Sequence, residues 1–234
     1  MAIYFFSDAH LGASDTQGEK EKLEKLFRFF DLVKTDAEKL FILGDLFDFW
    51  FEYKNAIPKQ HLKVVFRLTQ LAESGVEIHY LKGNHDFWLG DFLEKEAGIK
   101  IHSDSIETEL QDKRLFILHG DGVAPSDWGY RILKRILRNR LNIWLYQKIP
   151  TDWGIPLAKF VAGRSRDYTS GRTNSFLKEY DQYAEKKLSE GYDAVIMGHV
   201  HQAEIKVMDG GLYINSGDFI HEFSYIKMTN GVFE

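Results

Sequence analysis

The chain has 234 residues, of which 44% are apolar and 28% charged, and its formal net charge is −5. This length and composition favour one large domain, or one domain with an insertion, with a packed core and a charged surface. The chain has no cysteine, which excludes disulfides, thiolate zinc sites and cysteine nucleophiles, so any metal must be held by oxygen and nitrogen ligands.

The first half of the chain alternates between apolar runs of strand length and stretches with helical spacing. In chain order these are strand 2–6, helix 19–34, strand 40–43, helix 59–74, strand 76–81 and a short helix at about 87–97. Such alternation is typical of a largely parallel sheet covered by helices.

The second half begins and ends with strands and is helical between them. Strands are predicted at 105–111, 114–118, 194–197, 203–208, 211–215, 223–228 and 231–233. Turn residues at 111–113, 209–211 and 230–231 predict hairpins. The segment from about 127 to 190 is predominantly helical, and we expect it to be an insertion in a single domain that spans 1–234.

Five of the apolar runs end in clusters of Asp, His or Asn. The clusters are Asp8 with His10, Asp45 with Asp48, Asn84 with His85 and Asp86, His119 with Asp121, and His199 with His201. In open α/β sheets, ligands bind at the carboxyl ends of the strands. We therefore hypothesise that these clusters meet in space and hold two divalent metal ions, with Asp45 bridging them.

This set of groups suits the hydrolysis of a phosphoester or phosphoanhydride. Two metals about 3.5–4 Å apart can bind the phosphate oxygens and activate water, and carboxylate, imidazole and amide ligands suit manganese, iron, zinc or magnesium. Asp8 and His10 are two residues apart, so both would face one way in an extended segment. His199 and His201 have the same spacing and can offer one imidazole to each metal.

His85 follows a predicted ligand and is expected to point the other way. It is a candidate to stabilise the transition state or to protonate the leaving oxygen, and Asp86 is a candidate to orient it. The remaining histidines are interpreted as structural: His61, His79, His102 and His221. Three acids are left open as turn residues or as supports of the site: Asp48, Asp121 and Asp218.

The combined motifs closely resemble those of the calcineurin-like metallophosphoesterases. In order they are Asp8-x-His10, Gly44-Asp45, Gly83-Asn84-His85-Asp86, His119 and Gly198-His199-x-His201. The resemblance implies an α/β fold, a four-layer αββα sandwich of two mixed sheets with a helical insertion that acts as a lid. By the same match, one metal would take Asp8, His10, Asp45 and His201, and the other Asp45, Asn84, His119 and His199.

Within the family, the chain is most similar to the branch that cleaves the diphosphate of UDP-2,3-diacylglucosamine in lipid A biosynthesis. The similarity rests on LGDLFD at 43–48, on His119-Gly120-Asp121 followed by Asp127, and on the helical insertion. One difference is His85, where the best-known branch has arginine. The resemblance implies two divalent ions, with manganese expected, and substrate contacts at Asn84, His85, Asp127, Ser165, Thr169, Arg172 and His199. The alternatives are another phosphodiesterase or phosphatase of the family, and a non-catalytic binding module.

The insertion is basic although the chain is acidic. Residues 128–172 contain ten basic and two acidic residues, a net charge of +8 that leaves −13 for the rest. Apolar residues recur at helical spacing among the basic ones, which predicts a basic amphipathic helix. Three uses fit it: a lid with its apolar side on the core and its arginines in solvent, contact with an anionic membrane, at about 1 kcal/mol per basic residue, or a grip on a phosphorylated or nucleic-acid ligand.

We expect the substrate to be a nucleotide-linked glycolipid, and we do not expect nucleic acid as a partner, because the chain as a whole is acidic. No apolar stretch approaches the ~20 residues of a membrane span, and no basic leader precedes the first strand. These features favour a cytoplasmic protein with peripheral contact to the inner membrane.

Overall fold

The computed structural model describes residues 1–157 and 173–234. Its strands are β1 (Ala2–Phe6), β2 (Ala37–Ile42), β3 (Glu77–Leu81), β4 (Lys100–His102), β5 (Ser105–Leu110), β6 (Lys113–Leu118), β7 (Ala194–Met197), β8 (Ala203–Met208), β9 (Gly211–Ser216), β10 (Ile226–Thr229) and β11 (Val232–Phe233). Its helices are α1 (Thr16–Asp36), α2 (Leu62–Glu73), α3 (Phe92–Ala97), α4 (Trp128–Leu137), α5 (Arg140–Tyr146) and α6 (Thr173–Ser189). A 3-10 turn spans Lys59–His61, and residues 151–157 are also helical.

The strands form two mixed sheets. The first has the order β11-β10-β1-β2-β3-β4, in which β1 to β4 are parallel and β10 runs antiparallel to β1. The second has the order β5-β6-β7-β9-β8, in which β6, β7 and β9 are parallel and the edge strands β5 and β8 are antiparallel to their neighbours. The carboxyl ends of the inner parallel strands therefore lie at one edge of each sheet.

The two sheets and the helices stack in four layers. Side chains alternate along β1, so Ile3 and Phe5 pack between the sheets while Tyr4 and Phe6 pack in the cluster under the helices. Between the sheets, Phe5 stacks on Phe41 with ring centroids 5.0 Å apart. The outer faces are covered by α1, α2 and α3 on the first sheet and by α6 on the second. This arrangement confirms the predicted αββα sandwich.

Most predicted elements are confirmed, and the differences have local causes. Helix α1 begins at Thr16 because the side chain of Asp15 caps it by accepting a hydrogen bond from Gly18 N. The strand predicted at 223 begins only at Ile226, since Asp218 folds the preceding residues into a turn by accepting backbone N–H groups. The short helix predicted from 87 begins at 92, and β4 was not predicted because three residues carry no recognisable alternation.

Helix α4 places polar side chains on the core and its apolar side in solvent, the reverse of the predicted lid, although Arg131 and Arg135 are exposed as that prediction has them. Its polar side lies on the core, where Tyr130 OH donates to Asp121 Oδ2 at 2.7 Å and Lys134 Nζ lies 2.8 Å from the same oxygen. Arg138 donates to Gly83 O at 3.0 Å. Burial acts to raise the pKa of Asp121, but Lys134, His119 and Arg138 hold it below its usual value. The apolar side of the insertion is exposed at Trp128 (70%), Ile132 (49%), Ile136 (52%), Leu141 (61%), Trp144 (52%) and Trp153 (77%).

The orientation of α4 follows from the cost of burying a charge. Asp121 is a buried carboxylate, and it needs cationic and hydroxyl partners more than the core needs further apolar surface. Of the helices in the described parts of the chain, none combines the length and the apolar character that crossing a membrane requires.

Candidate metal centre

The loops that follow the inner strands of both sheets are joined by hydrogen bonds. His10 N donates to Asp45 O at 2.9 Å, which joins the loops after β1 and β2, and Gly198 N donates to His119 O at 3.0 Å, which joins those after β6 and β7. The two sheets are connected by His119, whose Nδ1 lies 2.7 Å from Leu43 O. The clusters that the sequence places at five strand ends therefore meet in one place.

Asp45 lies at the middle of this cluster. Its Oδ1 accepts a hydrogen bond from the backbone N–H of His85 at 2.8 Å, which fixes the carboxylate. Its Oδ2 lies 3.5 Å from His119 Nε2 and 3.7 Å from His10 Nε2. One carboxylate oxygen thus faces imidazoles from both sheets, the position that a bridging ligand requires.

Two groups of side chains flank Asp45. In the first, Asp8 Oδ1 lies 3.3 Å from His201 Nε2 and 3.7 Å from His10 Nε2, while Asp8 Oδ2 accepts the backbone N–H of His199 at 2.8 Å. In the second, the ligand atoms of Asp45, His119 and His199 lie within 4.8 Å of one another. Asn84 Oδ1 adds an amide oxygen 3.0 Å from His119 Nε2. Each group offers the donors that a divalent cation takes.

The charges of the cluster also fit cations. Burial acts to lower the pKa of His10, but the carboxylates of Asp48, Asp8 and Asp45 outweigh it and raise that pKa to about 10. In the same way the carboxylate of Asp45 outweighs burial and raises the pKa of His119 to about 9. The electrostatic potential at both imidazoles is therefore strongly negative, as a site for cations requires.

Unpaired buried atoms give an independent test of this fit. Within the described residues, Asp8 Oδ1 and His10 Nε2 are buried without a hydrogen-bond partner. Buried polar atoms are almost always paired, so two such atoms 3.7 Å apart form a place suited to a ligand. A carboxylate oxygen and an imidazole nitrogen fit a divalent metal ion.

The backbone at the centre is left-handed at five of the residues, so Asp8 and His10 face the same place, as expected, but not through an extended segment. The φ angles are 55° at Asp8, 41° at His10, 53° at Asp45, 69° at His199 and 58° at His201. Each costs roughly 1–2 kcal/mol in a non-glycine residue and persists only where the surroundings hold it. The side chains converge through sharp turns at the strand ends.

Two glycines make room for the ligands. A Cβ at Gly83 would lie 2.0 Å from Asp45 Oδ1, and one at Gly44 would lie 2.7 Å from His119 Nδ1. Gly44 also has a φ of +99°. Any side chain at either position would displace Asp45 or His119.

His85 lies beside the cluster and contacts Asp48. Its Nδ1 is 3.2 Å from Asp48 O and 3.5 Å from Asp48 Oδ1, so Nδ1 carries the proton in the neutral ring. Burial lowers the pKa of His85, although Asp45 acts in the other direction. The carboxylate next to His85 is thus that of Asp48, one of the three acids whose role the sequence leaves open. The position of Asp48, three residues after Asp45, is the sequence feature that could have indicated this role.

Asp86, expected to orient His85, instead joins the loops that carry the ligands. Its carboxylate accepts hydrogen bonds from Tyr80 OH and from the backbone N–H groups of Gly83, Asp45 and Phe47. These four donors occupy most of the acceptor positions of a carboxylate. Asp86 therefore positions the loop of Asn84 relative to that of Asp45.

The predicted substrate contacts are only partly within the described residues. Asn84, His85 and His199 are in the cluster, and Asp127 immediately precedes α4. Ser165, Thr169 and Arg172 lie outside the described residues.

Comparisons with known proteins agree with this geometry. A family model for calcineurin-like phosphoesterases matches residues 1–203. A protein named UDP-2,3-diacylglucosamine hydrolase from Porphyromonas gingivalis is 35% identical over 165 residues, 70% of this chain and 63% of that protein. One of the same name from Aeromonas salmonicida is 28% identical over 236 residues, 99% of this chain and 91% of that protein.

The chain therefore spans less than two thirds of the first relative and nearly all of the second. Among solved structures, an archaeal phosphodiesterase superposes with a TM-score of 0.50 at 16% identity over 100% of this chain and 98% of that one, which supports the fold. Since the family match covers most of the sequence and the cluster supplies the metal donors, the chain belongs to the calcineurin-like phosphoesterases, which are metal-dependent hydrolases.

Proposed function

We propose that this chain hydrolyses the diphosphate of UDP-2,3-diacylglucosamine to UMP and 2,3-diacylglucosamine 1-phosphate, with two manganese ions. The proposed reaction class, metal-dependent hydrolysis, rests on one observation: Asp45 Oδ2 lies 3.5 and 3.7 Å from the imidazoles of His119 and His10, which belong to two separate loops. The substrate is supported by the names of the relatives and by the exposed apolar and basic surface of the insertion beside the centre.

The ions are assigned to two sets of ligands that share Asp45. One set is Asp8, His10, Asp45 and His201, and the other is Asp45, Asn84, His119 and His199. When bound, the ions hold phosphate oxygens and make a water molecule reactive at neutral pH. The chain contributes the fixed geometry: the N–H of His85 sets Asp45, and the N–H of His199 sets Asp8. Asn84 is neutral, which limits the negative charge next to a phosphate.

We assign to His85 the role of stabilising the negative charge that develops on the substrate. Because Asp48 engages Nδ1, the other ring nitrogen is the one available to a phosphate oxygen. A phosphate anion at this nitrogen favours the imidazolium form of the ring, which can donate a hydrogen bond to the phosphate oxygen or protonate the leaving group. Asp48 keeps the ring in this orientation, and Asp127, Ser165, Thr169 and Arg172 are proposed to contact the rest of the substrate.

The insertion at about 127–190 is proposed to be part of a single domain and to contact the acyl chains and the membrane. Trp128, Ile136 and Trp144 are exposed, and Arg131, Arg135 and Arg140 lie in the same two helices. Aromatic and basic residues on one surface fit an anionic interface. The protein would act at the cytoplasmic face of the inner membrane.

The substrate is tested by comparing three phosphorylated compounds. The purified protein, stripped of metal with a chelator, should be inactive and should regain activity with Mn²⁺. Its kcat/KM for UDP-2,3-diacylglucosamine should exceed that for UDP-N-acetylglucosamine, which has the diphosphate but no long acyl chains, by roughly 100-fold. Equal or faster hydrolysis of a generic phosphodiester would reject the lipid substrate and leave the metal centre intact.

The membrane contact is tested with vesicles. The double variant Trp128→Ser/Ile136→Ser should bind phosphatidylglycerol vesicles at least about tenfold more weakly than the wild type, because each buried apolar side chain contributes roughly 1.5–3 kcal/mol. Val207→Ser, which changes an 81% exposed side chain on β8, is the matched control and should bind normally. Unchanged vesicle binding by the double variant, or equal binding of both variants, would contradict the proposed contact.

A further inference from the structure

A lysine that belongs to neither set of ligands is buried against the loop after β1. Lys22 lies on α1 and is only 2% exposed. Its ammonium donates hydrogen bonds to Ala9 O at 3.1 Å and to His10 O at 2.9 Å. Burying an ammonium group is costly unless it is paired and fully hydrogen-bonded, so a position this deep indicates a role beyond covering the helix surface.

The partner of Lys22 is Glu19, one turn earlier on α1. Lys22 Nζ lies 2.7 Å from Glu19 Oε1. The same carboxylate accepts the backbone N–H groups of Gly12 at 2.9 Å and Ser14 at 3.0 Å. Although partial burial acts to raise the pKa of Glu19, these three donors lower it. We call this pair the Glu19–Lys22 clasp: Lys22 holds the carbonyls before the turn, and Glu19 holds the N–H groups after it.

The clasp acts on the backbone that carries His10. His10 has a φ of 41°, which an unsupported histidine rarely adopts. Fixing the carbonyl oxygens of Ala9 and His10 fixes the peptide planes on both sides of the His10 Cα. These planes set the direction in which the His10 side chain leaves the backbone, and its Nε2 lies 3.7 Å from both Asp8 Oδ1 and Asp45 Oδ2.

The effect of the clasp is confined to one half of the centre. Among the described residues, the side-chain hydrogen bonds that Glu19 and Lys22 make outside their own pair reach only residues 9–14, the loop after β1. His119 is held separately by Leu43 O. We propose that the Glu19–Lys22 clasp is a positioning element that sets His10 for the ion shared with Asp8 and His201. This inference depends on the metal assignment of the proposed function, but it does not depend on the substrate.

Calorimetric titration of the metal-free protein with Mn²⁺ tests the clasp. The wild type should bind two ions. In Lys22→Met, which keeps most of the length of the side chain without its charge, one affinity should fall roughly 10–100-fold, the range for supports of a metal ligand, while the other stays within about threefold. Glu19→Gln, which keeps the size of Glu19, should weaken the same site by a smaller factor and provides a second variant should Lys22→Met fail to fold.

Two controls on the same helix separate positioning from stability. Val33→Ala removes a fully buried side chain eleven residues further along α1, about 16 Å away, and should lower the melting temperature without changing either affinity. Lys25→Met breaks the exposed pair with Glu21, at 2.9 Å, and should change neither quantity much.

The outcomes distinguish the clasp from the proposed function. If the wild type binds two ions and both clasp variants keep both affinities, or lose both equally, the clasp is rejected and the enzyme assignment is unaffected. If one site is weakened selectively but the lipid is not hydrolysed, the clasp stands and the substrate assignment fails. If the wild type binds no Mn²⁺, both are rejected.

Discussion

Replacing Asp45 with asparagine should remove metal binding and lower kcat/KM by roughly 10³-fold, because metal ions contribute several kcal/mol to stabilising the charge of the transition state. Asparagine has nearly the same shape but offers a single oxygen. Asp45 uses one oxygen to accept the N–H of His85 and directs the other between two imidazoles. The variant cannot do both, and its amide nitrogen cannot bind a cation. Metal content per chain, measured by mass spectrometry, and kcat/KM are the two readouts.

A surface aspartate provides the matched control. Asp112 is exposed in the turn between β5 and β6 and has a φ of 61°, which asparagine tolerates. Asp112→Asn should keep full metal content and activity. If Asp45→Asn retained two ions per chain, Asp45 would not bridge them, and the centre would have to be assigned again from the two flanking groups.

The position of the metal centre could be predicted because it depends on the strongest signals in the sequence. Short apolar runs identify strands, and the rule that sites lie at the carboxyl ends of parallel strands then brings Asp8, Asp45, Asn84, His119 and His199 together. The conformation of the loops could not be predicted in the same way. Asp8 and His10 turn through left-handed backbone, which only contacts distant in sequence can hold.

Helices α1 and α4 show where periodicity is insufficient. Lys22 would be expected on the solvent side of α1, yet it is 2% exposed because the carbonyls of the loop after β1 need a donor. In α4 the same reasoning assigns the apolar side to the core, whereas the buried carboxylate of Asp121 attracts the polar side instead. The periodicity of apolar residues identifies the apolar and the polar side of a helix. Which side is buried depends on the groups of the core against which the helix packs.

Removal of the imidazole of His85 should separate catalysis from metal binding. His85→Ala should lower kcat by roughly 10²–10⁴-fold, the usual contribution of a positioned acid or base, while the protein keeps both ions. Its side chain is buried against Asp48 and is not in either proposed set of ligands, and the N–H that holds Asp45 belongs to the backbone and survives the substitution. Single-turnover rates at saturating Mn²⁺, with metal content measured on the same sample, give the result.

A histidine away from the centre provides the control for His85→Ala, and the group formed by His10, Asp48 and His85 provides the alternative outcome. His221→Ala removes an exposed imidazole and should leave kcat unchanged. The ligand atoms of His10, Asp48 and His85 also lie within 4.8 Å of one another, so a different assignment of one ion is geometrically available. Loss of an ion in His85→Ala would support that assignment and make His85 a ligand. Retention of both ions with slow turnover supports its role at the phosphate, because removal of a metal ligand is expected to weaken the binding of that metal.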